Sequence, residues 1–301
     1  MNAFSRDKLR AALMKELEDL KNSYTAVAGA SGRHLVMGLA ANYTKKELYP
    51  FVVSLRDSGF TGDIVLFVTA LDQETRDFFK QYNITAVRQW QNLFSYLNLQ
   101  FARHVAYYDY LMNLHGNGIR YDRIFLTDVR DVLFQIDPFQ AVSVDPITFF
   151  LESDVVTIGT CECNSNWIAS GFGEKELSRL ATKPISCSGT VVGSWRSIIE
   201  YLLWMLILST LLHEDAAGVA GIDQGCHNML VHSNLLAEQR IAANGDGVLT
   251  LHHVIGRETV YVSADGFVVD IAGNRFPVIH QYDRLHELTD HVLNKRLSLA
   301  A

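Results

Sequence analysis

Apolar residues recur along the first half of the chain at spacings that predict alternating helices and strands. Leu9, Leu13, Leu17 and Leu20 lie three or four residues apart among charged residues, which predicts an amphipathic N-terminal helix on the outside of the domain. Unbroken apolar runs then alternate with stretches of helical periodicity. The predicted strands are 34–41, 63–69, 84–88 and 123–127, and the predicted helices between them are 45–58, 73–82 and 93–114.

Strands that are apolar throughout are typical of a sheet that is buried on both faces. Because helices of about 10 to 15 residues separate these strands, we expect an α/β fold with a mainly parallel central sheet and helices on both faces. The second half of the chain is less regular and predicts a mixed α+β arrangement. Its predicted strands are 147–153, 154–160, 188–192, 249–253, 259–262 and 278–280, and its predicted helices are 195–212, 223–232 and a last helix near the C-terminus. No low-complexity linker is visible, which favours one continuous domain.

The composition is that of an ordinary globular protein and excludes several classes of function. The chain has 301 residues, of which 49% are hydrophobic and 20% charged, so it can bury a sizeable core. Its net charge of −7 and its lack of a long basic run argue against binding to nucleic acid. The most apolar stretch, 198–212, contains Glu200 and is shorter than the roughly 20 residues of a membrane span. We expect it to form a buried helix, and we expect no transmembrane segment.

The four cysteines lack the spacing of a disulfide framework or of a strong zinc motif. Cys161 and Cys163 form a C-E-C pair, whereas Cys187 and Cys226 stand alone. Buried reduced thiols are the favoured interpretation, and a four-cysteine zinc site is the alternative. Reduced cysteines, together with a charged N-terminus that lacks the apolar core of a signal peptide, predict a cytoplasmic protein.

The strongest candidate for chemistry is the segment YDRIFLTDVRDVLFQIDPF, residues 121–139. An apolar strand ends at Asp128, and Asp131 follows three residues later. Ligands of open α/β sheets bind beyond the carboxyl ends of the strands, so both carboxylates are expected at the cleft. Carboxylates close together suit Mg²⁺ or Mn²⁺. The alternative is an Asp-rich turn in which Arg130 pairs with a carboxylate.

The same segment resembles the DxD segment of GT-A glycosyltransferases, which holds a divalent metal and a nucleotide-sugar diphosphate. The resemblance implies that Asp128 and Asp131 bind Mn²⁺ or Mg²⁺ beside the diphosphate. Arg130 is interposed, giving D-V-R-D where the family has D-V-D. This leaves open whether both aspartates contact the metal directly, and whether Arg130 faces the diphosphate in a metal-independent reaction.

Three further motifs resemble glycogenin and the bacterial lipopolysaccharide galactosyltransferases, in the same order along the chain. Ser188 and Gly189, in CSGTVVGSW, resemble a strand that approaches the donor sugar, and GIDQGCHN resembles a helix start that faces the same sugar. His280, in VIHQYDR, resembles the histidine that completes the metal site in that group. The resemblance implies a third metal ligand at this histidine and two catalytic residues, Asp223 and Gln224.

Contacts to the nucleotide and the acceptor are expected elsewhere in the chain. At the end of the first predicted strand, Asn42 is expected to read a base edge and Tyr43 to stack on the base. Arg103 is expected to reach phosphate or ribose, with a surface salt bridge as the alternative. The segment 163–173, which contains Trp167, is expected to form a loop of the acceptor pocket.

Over the whole chain, the resemblance implies a single GT-A (Rossmann-like) domain, 1–301. Its nucleotide-binding half is 1–140, and its donor-sugar and acceptor half is 141–301. The implied activity is that of a hexosyl- or pentosyltransferase, which moves a sugar from a nucleotide-diphosphate sugar, with UDP expected, to a hydroxyl of a glycan, glycolipid or other acceptor. The resemblance leans towards retention of anomeric configuration, and inversion with Asp223 or Glu152 as base stays open.

Two other functions stay open at this point. One is a catalytically silent relative that binds sugar nucleotides or glycans, with Arg130 marking a disabled metal site. The other is a nucleotidyltransferase, which is disfavoured because no Gly-rich loop follows the predicted strand 34–41. The charged N-terminal helix favours a cytoplasmic enzyme or a trimmed catalytic domain.

Overall fold

The fold is taken from a computed structural model, which describes residues 3–23, 32–88, 97–141, 147–236, 238–253, 260–284 and 290. Part of the predicted helix 93–114 and nearly all of the predicted last helix lie outside these residues. The helices are α1 (Ala3–Ser23), α2 (Lys45–Asp57), α3 (Gln73–Gln81), α4 (Leu99–Gly116), α5 (Pro138–Ala141), α6 (Glu162–Phe172), α7 (Glu174–Leu180), α8 (Trp195–Ser209) and α9 (Ile222–Val231). The strands are β1 (His34–Leu39), β2 (Asp63–Phe67), β3 (Ile84–Val87), β4 (Arg123–Thr127), β5 (Val132–Phe134), β6 (Ile147–Leu151), β7 (Ser186–Ser194), β8 (Gln239–Ala242), β9 (Val248–Thr250), β10 (Tyr261–Val262), β11 (Val268–Val269) and β12 (Val278–His280).

The central sheet has seven strands in the order β3-β2-β1-β4-β7-β6-β8. Strands β3, β2, β1 and β4 are parallel to one another, and β6 is parallel to β8. Strand β7 runs antiparallel to both of its neighbours, β4 and β6. The predicted α/β class with a mainly parallel sheet is therefore confirmed, with β7 as the strand that makes the sheet mixed.

Both faces of the sheet are buried, as the unbroken apolar runs predicted. In β1, Leu35 and Met37 pack in one cluster with residues of α1, α4, α8 and α9, whereas Val36 packs in another with residues of α2 and α3. Because neighbouring side chains of a strand point to opposite faces, this division places helices on both sides of the sheet. Among the described helices, none combines the length and the apolarity that crossing a membrane requires.

The helices of the first half begin at polar residues that satisfy their first backbone amides. Asp72 accepts a hydrogen bond of 2.7 Å from the amide of Thr75 at the start of α3. Asn98 accepts one of 2.8 Å from the amide of Phe101 at the start of α4. Side-chain caps of this kind fix the first turn of a helix. The cap on α4 fixes the turn that precedes Arg103.

A second sheet has three strands in the order β5-β12-β9 and lies next to the Asp segment. Strand β12 is antiparallel to β5 and parallel to β9. The register pairs His280 with Val132 on β5 and with Thr250 on β9. This pairing brings a residue near the end of the chain to the residue that follows Asp131.

Two parts of the predicted second half were wrong. The predicted strand 154–160 contains only one isolated bridge, at Thr157, followed by a 3₁₀ turn over Ile158–Thr160. The hydroxyl of Ser153 accepts hydrogen bonds from the amides of Val155 and Val156, and such a local bond competes with strand pairing. The predicted loop 163–173 is mostly the helix α6, whose poor helix formers are outweighed by packing of Ile168 in the core.

Candidate active site

Asp128, Asp131 and His280 form a cluster at the carboxyl end of β4. One ligand atom from each of the three residues lies within 4.8 Å of the other two, and no other group of this kind occurs among the described residues. The amide of Asp128 donates a 2.8 Å hydrogen bond to the carbonyl of Gly189, which ties the cluster to β7. The structure therefore brings together the three residues that the sequence predicted as metal ligands.

His280 presents one ring nitrogen to the carboxylates and the other to the protein. Its Nδ1 lies 3.4 Å from Sγ of Cys187 and 3.5 Å from Oγ1 of Thr250. Its Nε2 is buried, has no hydrogen-bond partner in the part of the chain that the structure describes, and lies 3.5 Å from Oδ2 of Asp128. Buried polar atoms normally have partners, so this nitrogen fits a metal ligand whose orientation is fixed from the Nδ1 side.

The two carboxylates have different electrostatic surroundings. Burial opposes ionisation of Asp128, but the charge of Arg103 and the His280 ring hold the pKa of Asp128 well below its usual range. Burial raises the pKa of Asp131. Burial also works against protonation of His280, but the Cys187 thiol and the two carboxylates outweigh it and raise the pKa of His280. A cation bound here would therefore compete with a proton.

Because Gly189 has no side chain, the Asp128 carboxylate and the His280 ring can lie directly against its backbone. A Cβ atom at this position would overlap Oδ2 of Asp128 and would lie 3.1 Å from Cε1 of His280. The close approach of β7 to the cluster is the physical reason for a glycine here. The expectation that this strand approaches the donor sugar stays a prediction.

Arg103 is a buried cation that joins two carboxylates. Its guanidinium forms ion pairs with Asp128 and, at 2.9 Å, with Asp223, and it donates a 3.3 Å hydrogen bond to the carbonyl of Ser188. The alternative of a surface salt bridge is wrong, because the side chain of Arg103 is only 9% exposed. Its contact with phosphate or ribose stays a prediction. Burial raises the pKa of Asp223.

Helix α9 binds the backbone of β7 through two amide side chains. Gln224 accepts a 2.7 Å hydrogen bond from the amide of Ser188, and its own amide donates at 2.9 Å to Oε1 of Glu152. Four residues on, Asn228 accepts from the amide of Ser186 at 2.9 Å and donates to its carbonyl at 3.0 Å. Residues four apart share one face of a helix, so both amides reach the same strand.

Arg130 and the predicted base contacts, Asn42 and Tyr43, do not line the cleft into which the Asp128-Asp131-His280 cluster opens. The half-exposed guanidinium of Arg130 lies 3.0 Å from Asp283 and 3.9 Å from Asp131. The side-chain oxygen of Asn42 accepts a 2.8 Å hydrogen bond from Thr69. Burial raises the pKa of Tyr43, whose hydroxyl is near enough to feel the charge of Arg130. Neither Asn42 nor Tyr43 lines the cleft described next, so their contacts to a base stay predictions.

The cluster opens into a cleft of about 440 Å³. The lining residues include most of the predicted site: Arg103, Asp128, Asp131, Ser188, Gly189, Asp223, Gln224 and His280. They also include Cys163, Asn164 and Trp167 of the expected acceptor segment, and three residues that the sequence did not mark as a site: Cys187, His252 and His253. Cys187 was detectable, because it lies two residues before Gly189 on one strand and therefore shares its face. A separate cavity of about 220 Å³ between α1, α4 and α8 shares no lining residue with the cleft.

The prediction of buried reduced thiols holds for two of the four cysteines. All four are free, and no cluster of cysteines with the geometry of a zinc site occurs within the described ranges. Cys187 and Cys226 are buried, whereas Cys161 and Cys163 lie at the wall of the cleft.

Comparison of the chain with known proteins gives no relative from which a function could be proposed. No protein-family model matches the chain. No curated protein has a sequence significantly similar to that of this chain.

Proposed function

We propose that the protein is a metal-dependent glycosyltransferase that moves a sugar from a nucleoside diphosphate, with UDP expected, to a hydroxyl acceptor. The observation that carries the proposal is the convergence of Asp128, Asp131 and His280 in a cleft shared with Ser188-Gly189 and the start of α9. Four motifs that are separate in sequence thus meet in one cleft: the D-V-R-D segment, Ser188-Gly189, the start of α9 and His280. The resemblance to GT-A enzymes implies a role for each of them at one donor site. The mostly parallel sheet is consistent with the Rossmann-like fold that the same resemblance implies.

The donor set fits a divalent cation, and it favours Mn²⁺ over Mg²⁺. Two carboxylates and one imidazole would hold the ion, and Mg²⁺ prefers oxygen ligands alone. When bound, the ion supplies Lewis-acid compensation of the charge that develops on the leaving diphosphate. Arg103 would hold Asp128 in place for this purpose.

The charge of the cleft supports a need for that cation. Among the described residues, four carboxylates line it, those of Asp128, Asp131, Glu152 and Asp223, against the two guanidinium groups of Arg103 and Arg284 and the imidazole of His280. An anionic diphosphate would therefore enter a site of net negative charge. A divalent cation at the Asp-Asp-His cluster would cancel this net negative charge and remove the repulsion of the donor.

The test is a thermal-shift titration with UDP-, GDP- and dTDP-sugars, with and without Mn²⁺, followed by assay of donor hydrolysis. Stabilisation that requires Mn²⁺, with slow release of nucleoside diphosphate, is the expected result. Binding without turnover would instead support the catalytically silent relative, and release of pyrophosphate the nucleotidyltransferase. If none of these donors shifts the melting curve, the proposal fails.

We expect Asp131→Ala to abolish the Mn²⁺ dependence of donor binding, because it removes one of three ligands from the cluster. The matched control is Asp154→Ala, which removes an exposed carboxylate that belongs to no metal cluster of the described chain. The measurement is the change in melting temperature with UDP and Mn²⁺. An unchanged Mn²⁺ dependence in Asp131→Ala would remove this residue from the site.

A further inference from the structure

Three of the four carboxylates in the cleft have an arginine as a partner. Asp128 and Asp223 share Arg103, and Asp131 lies 3.9 Å from Arg130. Glu152 is different: within the described ranges, no lysine or arginine lies within 4 Å of its carboxylate. Among the described residues, its one ion-pair neighbour at that distance is His253, whose Nε2 lies 3.7 Å from Oε2.

Neutral groups hold Glu152 rigidly. Its backbone amide donates to Ile185 at 2.9 Å, and its carbonyl accepts from Asn244 at 2.9 Å. On the side chain, Oε1 accepts the 2.9 Å hydrogen bond from Gln224. Oε2 accepts no hydrogen bond from any described residue, although the residue is only 6% exposed and lines the cleft. One carboxylate oxygen is thus fixed, and the other is left for a ligand.

Gln224 connects this carboxylate to the proposed donor site. Its amide group spans from Oε1 of Glu152 to the backbone amide of Ser188, with hydrogen bonds of 2.9 and 2.7 Å. The backbone carbonyl of Ser188 in turn accepts a hydrogen bond from the guanidinium of Arg103. Glu152 therefore lies one side chain away from the strand that carries Gly189, in the same cleft as the Asp-Asp-His cluster.

We propose that Glu152 is the general base that activates the acceptor hydroxyl; this rests on the proposed function. Oε2 takes the proton as the hydroxyl O–H bond breaks, and the hydroxyl oxygen bonds to the anomeric carbon. The bond from that carbon to the diphosphate breaks, and its electron pair leaves with the nucleoside diphosphate. A single displacement of this kind inverts the anomeric configuration, in contrast to the retention that the sequence favoured.

Asp223 is less suited to the same task. The Arg103 guanidinium lies 2.9 Å from its carboxylate, and the two are buried together. Its Oδ2 already accepts the hydrogen bond from Arg103, so this oxygen is not open to an acceptor hydroxyl in the way that Oε2 of Glu152 is. This leaves Asp223 to orient the donor and Glu152 to remove the proton.

The test uses α-linked UDP-glucose and UDP-galactose with Mn²⁺, with water or azide as the acceptor. Water must lose a proton when it attacks, whereas azide has none to lose. Glu152→Gln keeps an oxygen for the hydrogen bond from Gln224 and removes the base. We expect hydrolysis to fall by about 10²-fold to 10⁴-fold, with formation of glycosyl azide retained. In the unaltered protein, NMR is expected to show the β-anomer as the first sugar released.

Asp154→Asn makes the same chemical change at an exposed carboxylate two residues away and is expected to leave hydrolysis unchanged. Unaltered hydrolysis in Glu152→Gln, loss of both reactions, or release of the α-anomer by the unaltered protein would overturn the assignment. Rescue by azide in Asp223→Asn alone would transfer the role of base to Asp223. If the unaltered protein neither binds UDP with Mn²⁺ nor hydrolyses any donor, the proposed function itself fails.

Discussion

At the scale of single residues, the site depends on how closely β7 approaches the Asp segment. Gly189 and Asp128 are joined through a backbone hydrogen bond, and no side-chain atom can be added at Gly189 without displacing the Asp128 carboxylate or His280. The positions of the Asp128 carboxylate and the His280 ring therefore require a residue without a Cβ atom at position 189.

We expect Gly189→Ala to weaken Mn²⁺ binding by about 5-fold to 150-fold, because overpacking costs about 1–3 kcal/mol and here displaces two of the three ligands. Gly218→Ala is the control, since a Cβ atom at that position meets nothing within 4 Å. Isothermal titration with Mn²⁺ measures the effect. Equal affinities in the two variants would show that the cluster does not bind the ion.

Sequence reasoning predicted the members of the cluster but could not predict how they are partnered. The D-V-R-D segment and the late histidine were visible as motifs in the sequence. From the sequence, a contact of Arg103 with phosphate or ribose and a surface salt bridge were both possible. Only the fold shows that Arg103 is buried between Asp128 and Asp223. Likewise, the contact between Glu152 and His253 joins residues about a hundred positions apart, which no local pattern records.

At the scale of elements, α9 acts as a substitute strand for one end of β7. The amide of Asn228 forms the pair of hydrogen bonds with Ser186 that a neighbouring strand would form. The sequence predicted α9 closely, at 223–232 against Ile222–Val231, because its apolar spacing is regular. It failed at α6, where Asn, Ser and Gly hide a helix that tertiary packing stabilises.

We expect Asn228→Ala to lower the free energy of unfolding by about 2–4 kcal/mol, because it leaves a buried amide and carbonyl of Ser186 without partners. Asn166→Ala is the control, because it removes an exposed asparagine from α6 and should change stability by less than about 0.5 kcal/mol. Urea unfolding measures both. A loss below about 1 kcal/mol in Asn228→Ala would contradict the strand-like role of α9.

At the scale of the whole molecule, buried neutral histidines lie behind the cleft. Burial, with the charge of Arg103, lowers the pKa of His104 to about 3. Burial also lowers the pKa of His227 well below its ordinary value, between the hydroxyls of Ser186 and Tyr201. Each histidine binds a proton more readily in the unfolded chain than in the folded one, so each makes the fold less stable as the pH falls.

Above a pH of about 6.5, His104 is neutral in both the folded and the unfolded chain, so it does not change the free energy of unfolding with pH. As the pH falls from there towards 3, the unfolded chain binds the proton first, and the free energy of unfolding decreases by up to about 1.4 kcal/mol per pH unit. Buried carboxyls with raised pKa values act in the opposite direction, so the informative quantity is a difference. We expect the slope of unfolding free energy against pH, between pH 7 and 5, to be less positive in His104→Gln than in the unaltered protein, by about 1 kcal/mol per pH unit. Identical slopes would mean that His104 is protonated in the fold.

The strand order also has a consequence for the newly made chain. Strands β4 and β5 find partners in β7 and β12, which follow roughly 60 and 145 residues later. Until those residues leave the ribosome, the apolar β4 carries unpaired backbone groups along an open edge, and such edges promote aggregation. The same late pairing that assembles Asp128, Asp131 and His280 therefore leaves this strand edge open in the growing chain until β7 and β12 have been made.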